Sequence, residues 1–256
     1  MAINDSWRKI FDDLEIEKHD FNKAPYPISA KQIKSSCQKF TETGEKEVRI
    51  LCKQDSRESR PSIFKSNNLF LLPVKNGHYV IIRGEGYIDL PAITQDVLNY
   101  HSKLKFSPDT TRVGDSEMQH LDYAYAASLI RSFTGDESLI LTIRGRKYTP
   151  KFDFMVGNNR LIVSGVQTEV DAGYEGENQV VLIEAKNFLA TNVIIRQLFY
   201  PFRQWQSKTK KKVSTLFFEM DKNANVISIW QFEFSDPDDY NSITLAKSGK
   251  YKIMGN

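Results

Sequence analysis

Residues 179 to 188 read QVVLIEAKNF, an apolar run that closes on a glutamate and a lysine two positions apart. In a strand successive side chains point to opposite faces, so Glu184 and Lys186 share one face while Val181, Ile183 and Ala185 occupy the other. An acid and a base thus stand side by side on a rigid support. Upstream, VQTEVDAGY sets Gln167, Glu169 and Asp171 on one strand face, with Val166 and Val170 on the opposite one. Carboxylates and a lysine brought together on one sheet face make a site for a divalent cation in phosphate chemistry, because hard cations take oxygen ligands and magnesium is held through few carboxylates.

Those side chains need a scaffold, and the second half of the chain supplies its pattern. Ser116 and Gln119 have capping-box spacing and open SEMQHLDYAYAASLIRSF, in which Met118, Leu121, Tyr125, Leu129 and Phe133 recur at helical intervals. One long helix is expected there. Strands are expected at SLILTIRG, KFDFMV, RLIVSGVQTEV and QVVLIEAK, a helix at TNVIIRQLFYPFRQW, and strands again at VSTLFFEM and VISIWQFEF. Short turns such as Gly157-Asn158-Asn159 favour antiparallel pairing of the middle strands. The helix over 191–205 can cross over to a parallel strand at 213–220.

The first hundred residues read as a separate module. Ser29 and Gln32 form another capping-box pair, a short helix is expected over 57–66, and Asn76-Gly77 between two β-rich runs is a strong hairpin signal. Helices followed by a hairpin are the order of a winged helix, and also of ordinary α+β packing. A helix is expected over 92–101, after which periodicity is lost, so the boundary is drawn at residue 106: a module over 1–106 and a second domain over 107–256.

Composition narrows the partners. The 256 residues are 40% hydrophobic, enough for a real core, and the formal charge of +3 permits a nucleic-acid partner without requiring one. Cys37 and Cys52 have neither metal-type spacing nor disulfide density, which points to a reducing cytoplasm. The four histidines, His19, His78, His101 and His120, are scattered and make no metal-ligand spacing. No apolar run approaches the roughly 18 residues of a membrane span.

An acid followed by Glu-x-Lys on the next strand, within an α, β, β, β, α, β order, resembles the PD-(D/E)XK nuclease superfamily. The carriers are Asp171 and the EAK of Glu184 to Lys186, the resemblance covers roughly residues 115 to 220, and the whole chain looks like a small type II restriction endonuclease. The motif is short and degenerate; its weight comes from its place at the end of an apolar strand. Val170 stands where the family often has proline. The resemblance implies an α+β fold with a restriction-endonuclease-like αβββαβ catalytic domain and a DNA-recognition module before it. It implies a magnesium-dependent homodimer acting on double-stranded DNA in a prokaryotic cytoplasm. It further implies that Asp171 and Glu184 ligate the magnesium with the Ala185 carbonyl, while Lys186 orients or deprotonates the attacking water and stabilises the developing charge. A repair or junction-resolving nuclease of the same superfamily, and a DNA-binding protein that keeps the fold without catalysis, are the other readings.

Around this set the residues leave alternatives open. Glu175 rivals Asp171 as the first ligand, although Asp171 is in strand phase with Glu169. Glu169 is a supporting carboxylate or a solvated strand position. Glu117, in the first turn of a helix whose dipole favours an acid anyway, is a further candidate. Gln197 and Tyr200 on the helix after the EAK strand would steady the site or line its polar edge. Phosphate contacts are expected from Arg144, Arg146 and Lys147, from Arg196, and from Lys208, Lys210 and Lys211, a basic run placed at the rim of the site.

Overall fold

The computed structural model describes residues 2–113 and 116–255. The N-terminal part runs α1 (Ala2–Asp13), β1 (Tyr26–Ser29), α2 (Ala30–Ser36), α3 (Thr43–Lys46), α4 (Val48–Leu51), α5 (Ser62–Ser66), β2 (Leu69–Lys75) and β3 (His78–Arg83). β4 (Tyr87–Asp89) and β5 (Leu98–His101) follow, then α6 (Glu117–Ala126), α7 (Leu129–Thr134), β6 (Ile140–Tyr148), β7 (Phe152–Val156) and β8 (Asn159–Val163). The chain continues through β9 (Gln167–Glu175), β10 (Gln179–Lys186), β11 (Asn192–Ile194), α8 (Arg196–Gln206), β12 (Lys212–Asp221), β13 (Val226–Phe234) and β14 (Ile243–Met254). The protein is a mixed α+β structure. Among the described residues no helix is long and apolar enough to cross a membrane.

Several local signals act as their chemistry dictates. Ser29 caps α2 in a complete capping box, its Oγ accepting from the Gln32 N–H while the Gln32 side chain accepts from the Ser29 N–H at 2.9 Å. The Asn76-Gly77 turn joins β2 and β3 antiparallel, and Gly77 takes the positive φ of 71° that a glycine reaches without a Cβ clash. β1, β3 and β2, in that order, make a three-stranded antiparallel sheet. Its alternating faces are both buried: Leu69, Leu71 and Ile81 pack on Trp7, Phe11 and Phe64 of the N-terminal helices, while Phe70, Leu72, Val80 and Ile82 join the core of the C-terminal half.

The second half is organised by a seven-stranded sheet in the order β5-β14-β13-β12-β10-β9-β6. β9 pairs antiparallel with both β6 and β10, and β12 returns parallel to β10 after the α8 crossover, as the strand order leads one to expect. Leu121, Leu129, Ile130 and Phe133 of α6 and α7 cover one face over Ile183, Leu216 and Ile229, and α8 buries Leu198, Phe199 and Phe202 on the other over Leu182 and Phe217. Gly173 lies where β6 and β9 come closest: a Cβ there would sit 2.6 Å from the Ile143 Cβ. Gly173→Ala is therefore expected to cost about 1–3 kcal/mol through overpacking. An unchanged denaturant midpoint would refute this.

Several expectations are corrected. The helix expected over 191–205 begins only at Arg196, because Asn192–Ile194 pairs as a strand with Tyr87–Asp89, and the helix expected over 57–66 covers only Ser62–Ser66. The long helix over 116–133 is broken, because Ser128 takes a left-handed φ of 69° and Arg131 donates from its guanidinium to the Tyr125 carbonyl at the end of α6. Ser116 does not cap by its side chain; Gln119 instead donates to the Thr110 carbonyl at 2.6 Å. The run RLIVSGVQTEV is two strands, β8 and β9, separated where Gly165 takes φ 65°. The helix expected over 92–101 is absent, and Leu98–His101 is a strand paired parallel with Tyr251–Met254 of β14.

That pairing bears on the division at residue 106. β5 adds to the edge of the large sheet, and β4 pairs with β11. A chain of residues 107–256 would lose both strands and expose the apolar surface that Phe70, Leu72, Val80 and Ile82 cover. It is expected to bind a hydrophobic dye and to melt without a cooperative transition; a sharp melt would show the second half to be self-sufficient.

Candidate active site

β9 and β10 pair antiparallel up to Ala172 opposite Ile183, and the ladder ends there, one residue short of Asp171 and Glu184, where the β6–β9 register also shifts. There Asp171 Oδ2 accepts a hydrogen bond from the Ala185 N–H at 2.8 Å, which closes the end of the ladder with a carboxylate. Glu184 is 8% exposed. Its Oε1 accepts from Lys186 Nζ at 2.5 Å and from Gln197 Nε2 of α8 at 2.7 Å. Lys186 Nζ also donates to the Ala185 carbonyl at 3.0 Å. Asp171, Glu184, Ala185, Lys186 and Gln197 are thus gathered into one corner where β9 and β10 part company beneath α8.

The electrostatics of that corner are those of charges removed from water. The Glu184 carboxyl is pushed up to about 7, chiefly by burial, with the Lys186 ammonium opposing the rise and the Asp171 and Asp55 carboxylates adding to it. Burial also raises Asp171, partly offset by the Ala185 N–H and by Lys186. For Lys186, burial disfavours the ammonium, but the carboxylates of Glu184, Glu117 and Asp171 outweigh it and the net direction is up. Glu117 on α6 therefore acts on Lys186 from across the sheet end. Glu169 is exposed and holds Arg146 Nε at 3.3 Å, one residue pair along the β6–β9 ladder from the Gly145–Val170 pair.

Gln197 Oε1 is buried and finds no hydrogen-bond partner among the described residues. Beside it, between Glu169, Glu184, Gln197 and Thr215, is a cavity of about 10 Å³, the size of a single water. Pro201 within α8 has no N–H, which leaves the Gln197 carbonyl without the usual donor one turn on. The oxygens around this point suit a hard divalent cation. Among the described residues no three of His, Cys, Asp and Glu are drawn together as a ready cation cage. A larger cavity of about 610 Å³, lined by His120, Tyr123, Met220 and Ile227, lies on the α6 side and contains none of these carboxylates.

The expected phosphate-contacting residues divide by position. Arg144, bonded to Asp122, and Arg146 and Lys147 lie on β6 beside the part of β9 that runs past Asp171. Lys147 is exposed and makes no ion pair among the described residues. Arg196 is 3.6 Å from Asp55. The basic run is not at the rim of the site: Lys212 pairs with Gln179, and Lys186 lies seven residues further along β10, about 23 Å at ~3.3 Å per residue. There Lys211 holds Glu175 at 2.6 Å, and Lys208 stands over the Trp205 ring. Lys210 is exposed beside them. The same register separates Glu175, opposite Val180, from the Asp171 corner.

Two carboxylates were not singled out by the sequence reading. Glu219 pairs in register with Lys186 on the parallel strand β12, is 4% exposed, and its Oε2 accepts from the Ala190 N–H at 2.8 Å. A lone acid inside LFFEM, a run buried on both faces, was the available signal. Asp55 approaches from the N-terminal part, where its carbonyl accepts from the Ile194 N–H at 3.0 Å; nothing local marks it.

In comparisons with known proteins, a family model described as a domain of unknown function (DUF6997) matches residues 82–252, and a second so described (DUF6996) matches residues 4–81. Nothing matches among curated proteins or among solved structures.

Proposed function

Because the chain belongs to the DUF6997 family, whose description carries no activity, we propose its function from the site itself: a magnesium-dependent endonuclease acting on double-stranded DNA. The observation that carries this reading is the corner where the Asp171 carboxylate takes the Ala185 N–H, between Glu184 and the Lys186 bonded to it. Further support comes from the element order. Helices α6 and α7, three antiparallel strands carrying an inserted β7–β8 hairpin, a crossover helix and a parallel strand follow the αβββαβ order of the nuclease superfamily that the motif resembles. The N-terminal helices and the β1-β3-β2 sheet are the proposed recognition module, in a winged-helix-like order.

Asp171, Glu184 and the Ala185 carbonyl would hold the cation, with the orphaned Gln197 oxygen beside them. Once bound, a magnesium ion supplies Lewis-acid polarisation of the phosphate and a more acidic water. Lys186 would direct an ammonium at the same point, where negative charge builds on the non-bridging and leaving oxygens as water attacks phosphorus and the leaving oxygen departs. Gln197 fixes Glu184 through its Nε2, and Glu117 adds negative potential around Lys186. A homodimer would set one such site on each strand of a two-fold DNA sequence, as a type II restriction enzyme requires.

The test is incubation of a long DNA of known sequence with magnesium, followed by mapping of fragment ends. Discrete fragments are expected. A smear or structure-dependent cutting would assign a different nuclease role, and DNA binding without cutting would assign a binding protein.

A further inference from the structure

The residues that follow Lys186 are unlike the rest of the site. Phe188 is 56% exposed and Leu189 70%, and neither belongs to an apolar cluster of the core. The loop that presents them is short and held at both ends. It leaves β10 at Lys186, and at Ala190 its N–H is taken by the buried Glu219 carboxylate at 2.8 Å. One residue on, the Thr191 carbonyl accepts from the Leu90 N–H at 2.9 Å, and Asn192 Oδ1 accepts from the Arg57 N–H at 2.7 Å. Residues 187–189 are thus a short loop tethered on both sides, and its tip is apolar.

Resting on the nuclease reading, we propose that Phe188 and Leu189 are a wedge that enters the base stack of the DNA next to the phosphate at Lys186. Position selects this occupant. Phe188 and Leu189 are two and three residues from Lys186, at most ~7–11 Å of chain, and each nucleotide of a strand advances ~3.4 Å along the duplex axis, so the tip stands within about three nucleotides of any phosphate that reaches Lys186. The nearest apolar surface there is the face of a base. Apolar side chains inserted between base steps unstack them and kink the duplex, which suits a loop tethered on both sides. Glu219 is on this account a positioning residue: pairing in register with Lys186, it sets the loop and the lysine on adjacent strand ends.

The experiment uses the full chain and a closed circular plasmid in calcium, with a metal-independent topoisomerase to relax the DNA while protein is bound. Insertion unwinds the duplex, so wild-type protein is expected to leave the plasmid negatively supercoiled after its removal. Phe188→Ala with Leu189→Ala is expected to abolish that shift per molecule of bound protein, counted by filter retention. Both side chains are exposed, so the double variant should melt as the wild type does. DNA binding without a shift, alongside cleavage of the same plasmid in magnesium, overturns the wedge and leaves the nuclease reading standing. Absence of DNA retention overturns both. A double variant that keeps the shift but changes the oligomeric state overturns the wedge and assigns the patch to contact between copies of the chain.

Discussion

On the proposed nuclease reading, Lys186→Ala is expected to lower the single-turnover rate of magnesium-dependent plasmid cleavage by about 10²–10³-fold, the cost of removing one preorganised donor from a developing oxyanion. The lysine is held by two short contacts, to Glu184 Oε1 and to the Ala185 carbonyl, so its ammonium is aimed before substrate arrives. Two nearby cations are engaged elsewhere: Arg144 with Asp122, and Arg196 with Asp55. DNA retention in calcium should persist, since phosphate contacts elsewhere supply most of the affinity. Truncation leaves Glu184 buried with only Gln197 as donor, where burial favours its neutral form, so the fold is expected to survive, as a thermal melt will show. Undiminished cleavage by the variant would remove Lys186 from the mechanism.

The second large effect separates two acids on one strand. Asp171→Asn is expected to reduce cleavage more than ~100-fold, beyond the usual cost of losing an outer partner of a metal site, while Glu175→Gln leaves the rate within about twofold. The substitution at 171 is close to isosteric. An asparagine oxygen can still accept the Ala185 N–H, so the loss reports the missing charge rather than a broken ladder. Glu175 is opposite Val180 and neutralised by Lys211, about 13 Å along β9 from Asp171 at ~3.3 Å per residue. Raising magnesium should recover part of the Asp171→Asn rate if the defect is in cation affinity. The reverse order of damage would reassign the first carboxylate.

Elements whose signal is local follow from a few neighbouring residues. The β10 run, the Asn76-Gly77 hairpin and the Ser29 capping box each carry their instruction within a few residues, through side-chain alternation, a positive φ and a reciprocal pair of hydrogen bonds. The parallel return of β12 followed from a helix between two apolar strands. Signals failed where the partner is distant. Leu98–His101 has no strand pattern of its own and is extended because β14, from the far end of the chain, offers it an edge. Ser116 and Gln119 have capping-box spacing, yet a carbonyl at Thr110 takes the glutamine.

The same division runs through the site. The sequence by itself determined that Glu184 and Lys186 share a strand face, because alternation is a property of the chain, and it put Asp171 within one strand of them. Only the tertiary structure put Asp171 beside Ala185 and left Glu175 opposite Val180, because that placement rests on the register of β9 against β10. It also moved the lysine run to the opposite end of the sheet and brought Glu219, Gln197 and Asp55 into the neighbourhood from three other segments. A side chain's field falls off over a few ångströms, and which carboxylates lie within that distance is fixed by packing between segments far apart in the chain.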